Sequence, residues 1–176
     1  LTNGCDEIVE DYCNIVKKLF GDNPTVNEYK ANCYDVLFYS EPIRRILNKF
    51  GMPFAGTEHK ELTNLFLSHS SNEELAEFLN GLYCGDGYIN KNYIELTTKS
   101  KKLGFAIENI LTRLGITFVS KYKIKIATNS GFSGVYRVIV IYGNENLKNF
   151  NEIIKLKHPD KRSKLETIPN LNINPN

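Results

Sequence analysis

The chain has no tryptophan, one methionine and three histidines in 176 residues. No apolar stretch approaches the roughly 20 residues that a bilayer-crossing helix needs, and the N-terminus has no basic segment followed by an apolar one. These absences predict a soluble, cytoplasmic protein without a membrane partner. The four cysteines, Cys5, Cys13, Cys33 and Cys84, form no C-x-x-C pair and stand near no pair of histidines. A zinc site and a disulfide framework are both unsupported, and the thiols read as buried and free. Charge of one sign is also scarce, because 22 Lys and Arg against 20 Asp and Glu leave a formal net charge of +2. Any nucleic-acid partner must therefore be met by a local basic surface.

What is present is repetition. Over 6 to 20 the apolar residues Ile8, Val9, Tyr12, Ile15, Val16, Leu19 and Phe20 recur at helical spacing, with Gly21 as a stop. A strand candidate follows over 25 to 40, where Tyr34, Val36 and Phe38 alternate with Asp35, Leu37 and Tyr39. Pro42 then opens a short helix carrying Ile43, Ile46, Leu47 and Phe50, closed by Gly51. The same order returns as a helix over 101 to 114 closed by Gly115, strands over 117 to 127 and 134 to 142, and a helix over 144 to 156. Leu1-Thr2 precedes its helix much as Leu96-Thr97 precedes the later one, and Tyr34-Asp-Val-Leu-Phe-Tyr resembles Tyr136-Arg-Val-Ile-Val-Ile.

The second copy has a helix over 72 to 86 and a strand over 88 to 98 ahead of the shared part. The expected division is an incomplete first repeat (1–70), a complete second repeat (71–168) and a tail (169–176). Leu1 is no translation start, so the chain reads as a piece of a longer polypeptide, the alternative being a first copy that is itself truncated.

The extra helix opens with a capping box, Ser71-Asn-Glu-Glu74. Gly81 and Gly85 stand four apart and strip one stripe of side chains, at a cost of about 1 kcal/mol each relative to alanine. Close approach of another helix would offset that cost. Asp86 follows at the carbonyl end, where the helix dipole disfavours negative charge, so something positive belongs beside it. A carboxylate and a backbone carbonyl are hard ligands of the kind magnesium accepts. Gly85-Asp-Gly87 also reads as a plain turn between helix and strand.

The stretch Leu79-Asn-Gly-Leu-Tyr-Cys-Gly-Asp-Gly87 resembles the nonapeptide of the LAGLIDADG homing endonucleases, with Cys84 where that pattern often has an acid. The wider run from Ala76 to Tyr88 is similar to the second motif of intein-borne members, and Ile153 to Glu166 to the segment after their last strand pair. The resemblance implies an α+β fold of αββαββα repeats with saddle-shaped antiparallel sheets. It also implies two motif helices packed through their small residues, each delivering an aspartate to bridging divalent cations, Mg2+ or Mn2+. On that pattern Asp86 is a metal ligand, Gly85 adds its carbonyl, and Lys157 stabilises charge at the phosphate, with Lys161 and Lys164 as alternatives. Thr98 matches a position that holds active-site water, with Asn3 as its counterpart. In the first copy Glu58 interrupts the basic pattern and leaves Lys60 or His59.

DNA reading falls to the sheets in this family. Lys121, Lys123 and Lys125 alternate with Tyr122, Ile124 and Ile126, so the three charges share a face, although an ordinary solvated face looks the same. Arg137, Asn90 and Asn92 are expected to extend that surface over double-stranded DNA. The resulting expectation is a metal-dependent, site-specific endonuclease of intein or intron mobility, working as a monomeric pseudo-dimer with an upstream repeat rather than a homodimer. The alternatives are a cleavage-inactive nucleic-acid binder of maturase or regulator type, and an unrelated α/β interaction domain.

Overall fold

A computed structural model describes residues 1–52, 56–126 and 133–167, and the tail expected over 169–176 lies outside them. The elements run β1 (Thr2–Asn3), α1 (Asp6–Phe20), β2 (Thr25–Lys30), β3 (Cys33–Leu37), α2 (Glu41–Lys49), a 3-10 turn (Thr57–His59), α3 (Asn64–His69), α4 (Asn72–Asp86), β4 (Tyr88–Ile89), β5 (Tyr93–Thr98), α5 (Lys101–Arg113), β6 (Val119–Ile126), β7 (Ser133–Tyr142), α6 (Asn144–Ile154) and α7 (Pro159–Glu166). Every strand pairing is antiparallel, which places the fold in the α+β class.

Two expected strands are hairpins. The stretch over 25 to 40 folds back at Asn32, whose φ of 56° is the left-handed conformation that asparagine tolerates in turns. The stretch over 88 to 98 turns at Asn90-Lys91-Asn92, where the Asn92 amide donates to Asn90 Oδ1 at 3.1 Å.

The two sheets have orders β1-β3-β2 and β4-β5-β7-β6, so the first repeats the second without its outermost strand. The strand-to-helix turns repeat as well. Asn3 Oδ1 accepts from the Cys5 amide at 2.9 Å and Thr98 Oγ1 from the Ser100 amide at 3.2 Å, and in both cases the helix starts one residue later. Asn3 pairs with Tyr34 and Thr98 with Arg137, one residue away from matching Tyr34 to Tyr136.

The core lies where α4, α5 and α6 meet the second sheet. Leu75, Leu79 and Tyr83 from α4 pack with Ile107 and Leu111 of α5, Leu147 and Phe150 of α6, and Leu96, Ile139 and Ile141 of the strands, all buried. The Tyr83 and Phe150 rings meet edge to face at 5.0 Å. Arg113 fastens the entrance to this layer. Its guanidinium donates to the carbonyls of Leu67 and Ser70 at the end of α3 and to Asn72 Oδ1 at the start of α4.

The first half is packed differently. Among the described residues of α1, the first sheet and α2, only Val16 and Val36 are buried apolar side chains. Ile15, Leu19, Phe20 and Leu47 remain exposed and line a groove of about 970 Å³ between α1 and α2. In the second half α4 covers the matching helices α5 and α6.

Asn80 fastens α4 to the chain beyond α6. Its Nδ2 donates to the carbonyls of Ile154 (3.1 Å) and Lys155 (3.0 Å), while Oδ1 accepts from Cys84 Sγ (3.1 Å) and the Lys157 amide (3.2 Å). A buried amide so fully satisfied leaves several orphans when removed. Asn80→Leu should lower the unfolding free energy by about 2 to 3 kcal/mol, the cost of stranding buried polar groups. Urea titration of both proteins checks this, and an unchanged midpoint would show that the network carries no stability.

Candidate active site

The motif helix α4 begins as its sequence dictates. Glu74 N donates to Ser71 Oγ at 3.2 Å and Glu74 Oε2 accepts from the Ser71 amide at 2.8 Å, which closes the capping box. Three faces follow. Leu75, Leu79 and Tyr83 enter the core, whereas Phe78, Leu82 and Asp86, four apart, line a cleft of about 470 Å³. Glu77, Gly81 and Gly85 form an exposed stripe, and a Cβ added to either glycine would meet no neighbour within 4 Å. Gly87 differs, since its Cβ would fall 2.6 Å from the Tyr83 carbonyl oxygen. The close turn out of the helix therefore requires glycine at that position.

The positive charge expected at the end of α4 comes from α7. Lys161 Nζ donates to the carbonyls of Tyr83 (3.0 Å), Cys84 (2.7 Å) and Gly85 (3.2 Å), of which Tyr83 also accepts from the Gly87 amide, and so offsets the negative pole of the helix. Burial pushes the ammonium's pKa down, against the upward pull of Cys84 and Asp86. The Gly85 carbonyl, an expected metal ligand, thus already accepts one donor. The Asp86 carboxylate is exposed at the mouth of the cleft. Among the described residues no three His, Cys, Asp or Glu side chains cluster closely enough to hold a metal. Asp86 supplies one hard oxygen ligand, which fits part of a divalent site and needs donors from elsewhere.

Lys157 is placed away from Asp86. Its Nζ lies 3.3 Å from Asp11 and 3.4 Å from Glu77, the latter two and a half turns earlier on α4. Burial works against its charge, but the two carboxylates hold its pKa above the usual lysine value. Lys161, not Lys157, is the cation at the Asp86 end. Its partners lie more than seventy residues away in sequence, and the visible signal was only a second lysine four residues after Lys157. Thr98 shares the Asp86 cleft with Lys60 and Lys99.

On the second sheet, Lys121, Lys123 and Lys125 stand on one face of β6. Lys125 Nζ lies 2.9 Å from both Glu95 Oε1 and Thr97 Oγ1, and Lys121 and Lys123 are exposed. Burial opposes ionisation of Glu95, yet Lys125 holds its carboxyl below the ordinary range. Arg137 corrects the expected surface. It pairs with Tyr122, and residues opposite one another in an antiparallel pair share a face, so it points away from the lysines toward α5. There its Nε and Nη2 each reach Glu108 at 2.5 Å, Nη1 donates to Tyr122 Oη at 2.9 Å, and the guanidinium stacks 4.0 Å over Phe105. Asn90 and Asn92 sit in the β4–β5 turn instead of on a strand, Asn92 exposed and Asn90 partly so.

These features define a LAGLIDADG homing endonuclease fold. The chain superposes on a structure titled for mesophilic variants of the homing endonuclease I-DmoI with a TM-score of 0.61, over 88% of this chain and 78% of that one, at 14% identity. Residues 73–155 match the family model described as a LAGLIDADG-like domain, so this part of the chain is similar to that family. Curated relatives from Methanocaldococcus jannaschii include the ATP-dependent DNA helicase Hel308, 33% identical over 74% of this chain and 11% of that protein. The replication factor C small subunit is 26% identical over 98% of this chain and 9% of its own length. For the probable translation initiation factor IF-2 the values are 29%, 82% and 13%. The chain spans about a tenth of the length of each.

Because Arg137 is buried and Glu108 largely so, Arg137→Ala should cost about 3 kcal/mol of stability by leaving a carboxylate unpaired. A solvent-facing DNA contact would cost almost none. Chemical denaturation of the variant without DNA separates the two, and an unaltered midpoint would return Arg137 to the binding surface.

Proposed function

We propose that this chain is the DNA-cleaving part of a homing endonuclease, hydrolysing phosphodiester bonds at a specific double-stranded site with the help of Mg2+ or Mn2+. The observation that carries the reading is the end of α4, where an exposed carboxylate sits at a cleft mouth beside a bare glycine stripe. The stripe meets no neighbour among the described residues to offset its helix-propensity cost, and contact with a twin helix would offset it. The groove between α1 and α2 supports the same picture, because α4 covers the matching place in the second half. Residues 1–70 are on this reading the later part of a first repeat, whose motif helix fills that groove and supplies the second aspartate. The result is a monomeric pseudo-dimer.

Asp86 would hold the cation, which when bound polarises water and neutralises charge at the scissile phosphate. Lys161 offsets the negative helix end beside it, and Thr98, which lines the same cleft, would orient water there. Lys121, Lys123 and Lys125 would meet DNA phosphates, with Asn90 and Asn92 reaching the duplex from the hairpin tip. An intein context draws support from the relatives. One module matched over 74% to 98% of this chain lies within a helicase, a replication factor subunit and a translation initiation factor, names that share no activity. Such distribution suits an inserted mobile element.

In a protein containing both motif helices, Asp86→Asn should lower magnesium-dependent cutting by a factor on the order of 100 or more, the scale of losing one preorganised electrostatic group. Full cutting by that variant would remove Asp86 from the reaction, and cutting of a cognate site by the monomeric chain alone would remove the need for a second motif helix. Lys123→Ala should weaken binding evenly across sequences and shallow the salt dependence by about one unit of slope, as a phosphate contact does. Altered preference at a single base pair would mark it instead as a reader of sequence.

A further inference from the structure

Between the two halves, the segment around Thr57–His59 lies against the turn that joins β5 to α5. Ser100 Oγ donates to the Lys60 carbonyl and fixes this contact. Across it, Glu58 pairs with Lys99 at 3.4 Å and Glu61 with Lys102 at 2.5 Å. All four side chains keep a third or more of their surface exposed. Lys60, Lys99 and Glu61 line the cleft that holds Asp86, and Lys99 and Glu58 continue into a shallow neighbouring cavity of about 280 Å³ with Lys101 and Lys102. Four ammonium groups and two carboxylates thus form a continuous strip leading away from Asp86.

We propose that this strip is a docking surface for the DNA backbone, masked in the free protein by Glu58 and Glu61. The inference rests on the nuclease reading, because DNA whose scissile phosphate reaches Asp86 lies within the same cleft as Lys60 and Lys99. A carboxylate on an exposed lysine is a weakly held stand-in for a phosphate oxygen. A phosphate carries comparable charge and belongs to a polyanion that gains by shedding its counterions, so it can take the lysine from the glutamate. The displaced glutamates remain beside the DNA as local repulsion, and this tempers the affinity of the whole surface.

The test compares the unaltered chain with three variants, Glu58→Gln/Glu61→Gln, Lys99→Ala/Lys102→Ala and the four-fold combination, by fluorescence anisotropy on a labelled duplex over a range of salt. Removing both carboxylates should tighten binding about three- to tenfold at low salt. The gain should shrink as the screening length falls toward about 8 Å at physiological ionic strength. Removing the lysines should shallow the salt slope by about 1 to 2, and in that background the glutamine substitutions should no longer tighten binding. Unchanged or weaker binding by the glutamine variant, with its melting temperature recorded alongside, would falsify the masking. If Lys123→Ala still weakens binding while the glutamine variant does nothing, the inference fails and the nuclease reading stands. A chain that binds no duplex under any condition overturns both.

Discussion

A helix that ends in an aspartate needs compensating charge at its carbonyl pole, and a single ammonium supplies it here. Lys161 can serve the carbonyls of Tyr83, Cys84 and Gly85 only because α7 is held against the end of α4. That placement is enforced one turn earlier, where buried Asn80 takes the carbonyls of Ile154 and Lys155 and the amide of Lys157. α6 ends there with Lys155 in the left-handed conformation, a strained state for a residue with a side chain and one that the Asn80 bonds help hold. The chain of cause runs from one buried amide to a turn, from the turn to a cation, and from the cation to a carboxylate presented in the open.

Such a chain explains which parts of the molecule were legible in the sequence. The bounds of α1 and α4 could be read because their signals are local: apolar residues at helical spacing, a glycine stop, and a capping box within four residues. The hairpin at Asn32 was hidden because the alternation that marked the strand begins only at Tyr34 and the break is made by one residue's backbone conformation. Arg137 was misplaced for a deeper reason. Alternation along one strand tells which residues share a face, but the face of the neighbouring strand depends on register. Pairing Tyr122 with Arg137 put it inward. A glycine at position 104 completes the fit, since a Cβ there would lie 2.5 Å from the Arg137 side chain. Neither fact has a local signature.

The unequal packing of the halves follows from the same architecture. A sheet with one face covered needs an apolar layer on that face, and in the second half α4 contributes it together with α5 and α6. The first half has the two flanking helices without the central one, which leaves Leu19 at 65% and Phe20 at 44% exposure. Side chains of that size are seldom left open in a contiguous groove. On the function proposed above, the bare stripe on α4 and the open groove beside α1 would both be met by a helix with small residues on one face and large apolar ones on the other. The alternation of small and large faces on α4 itself is what such a helix looks like.

The sequence held two departures that favoured a nucleic-acid binder without cleavage, Cys84 and Glu58, and the structure changes the weight of both. Cys84 is buried, its thiol donating to Asn80 Oδ1 and accepting from the His158 amide. An acid in that place would push a charge into the Asn80 network, so the cysteine answers to packing. Glu58 faces Lys99 in an exposed pair, where it lowers net charge beside the cleft without touching Asp86. Lys161 donates to the backbone oxygens of Tyr83, Cys84 and Gly85 and leaves the Asp86 carboxylate open to the cleft.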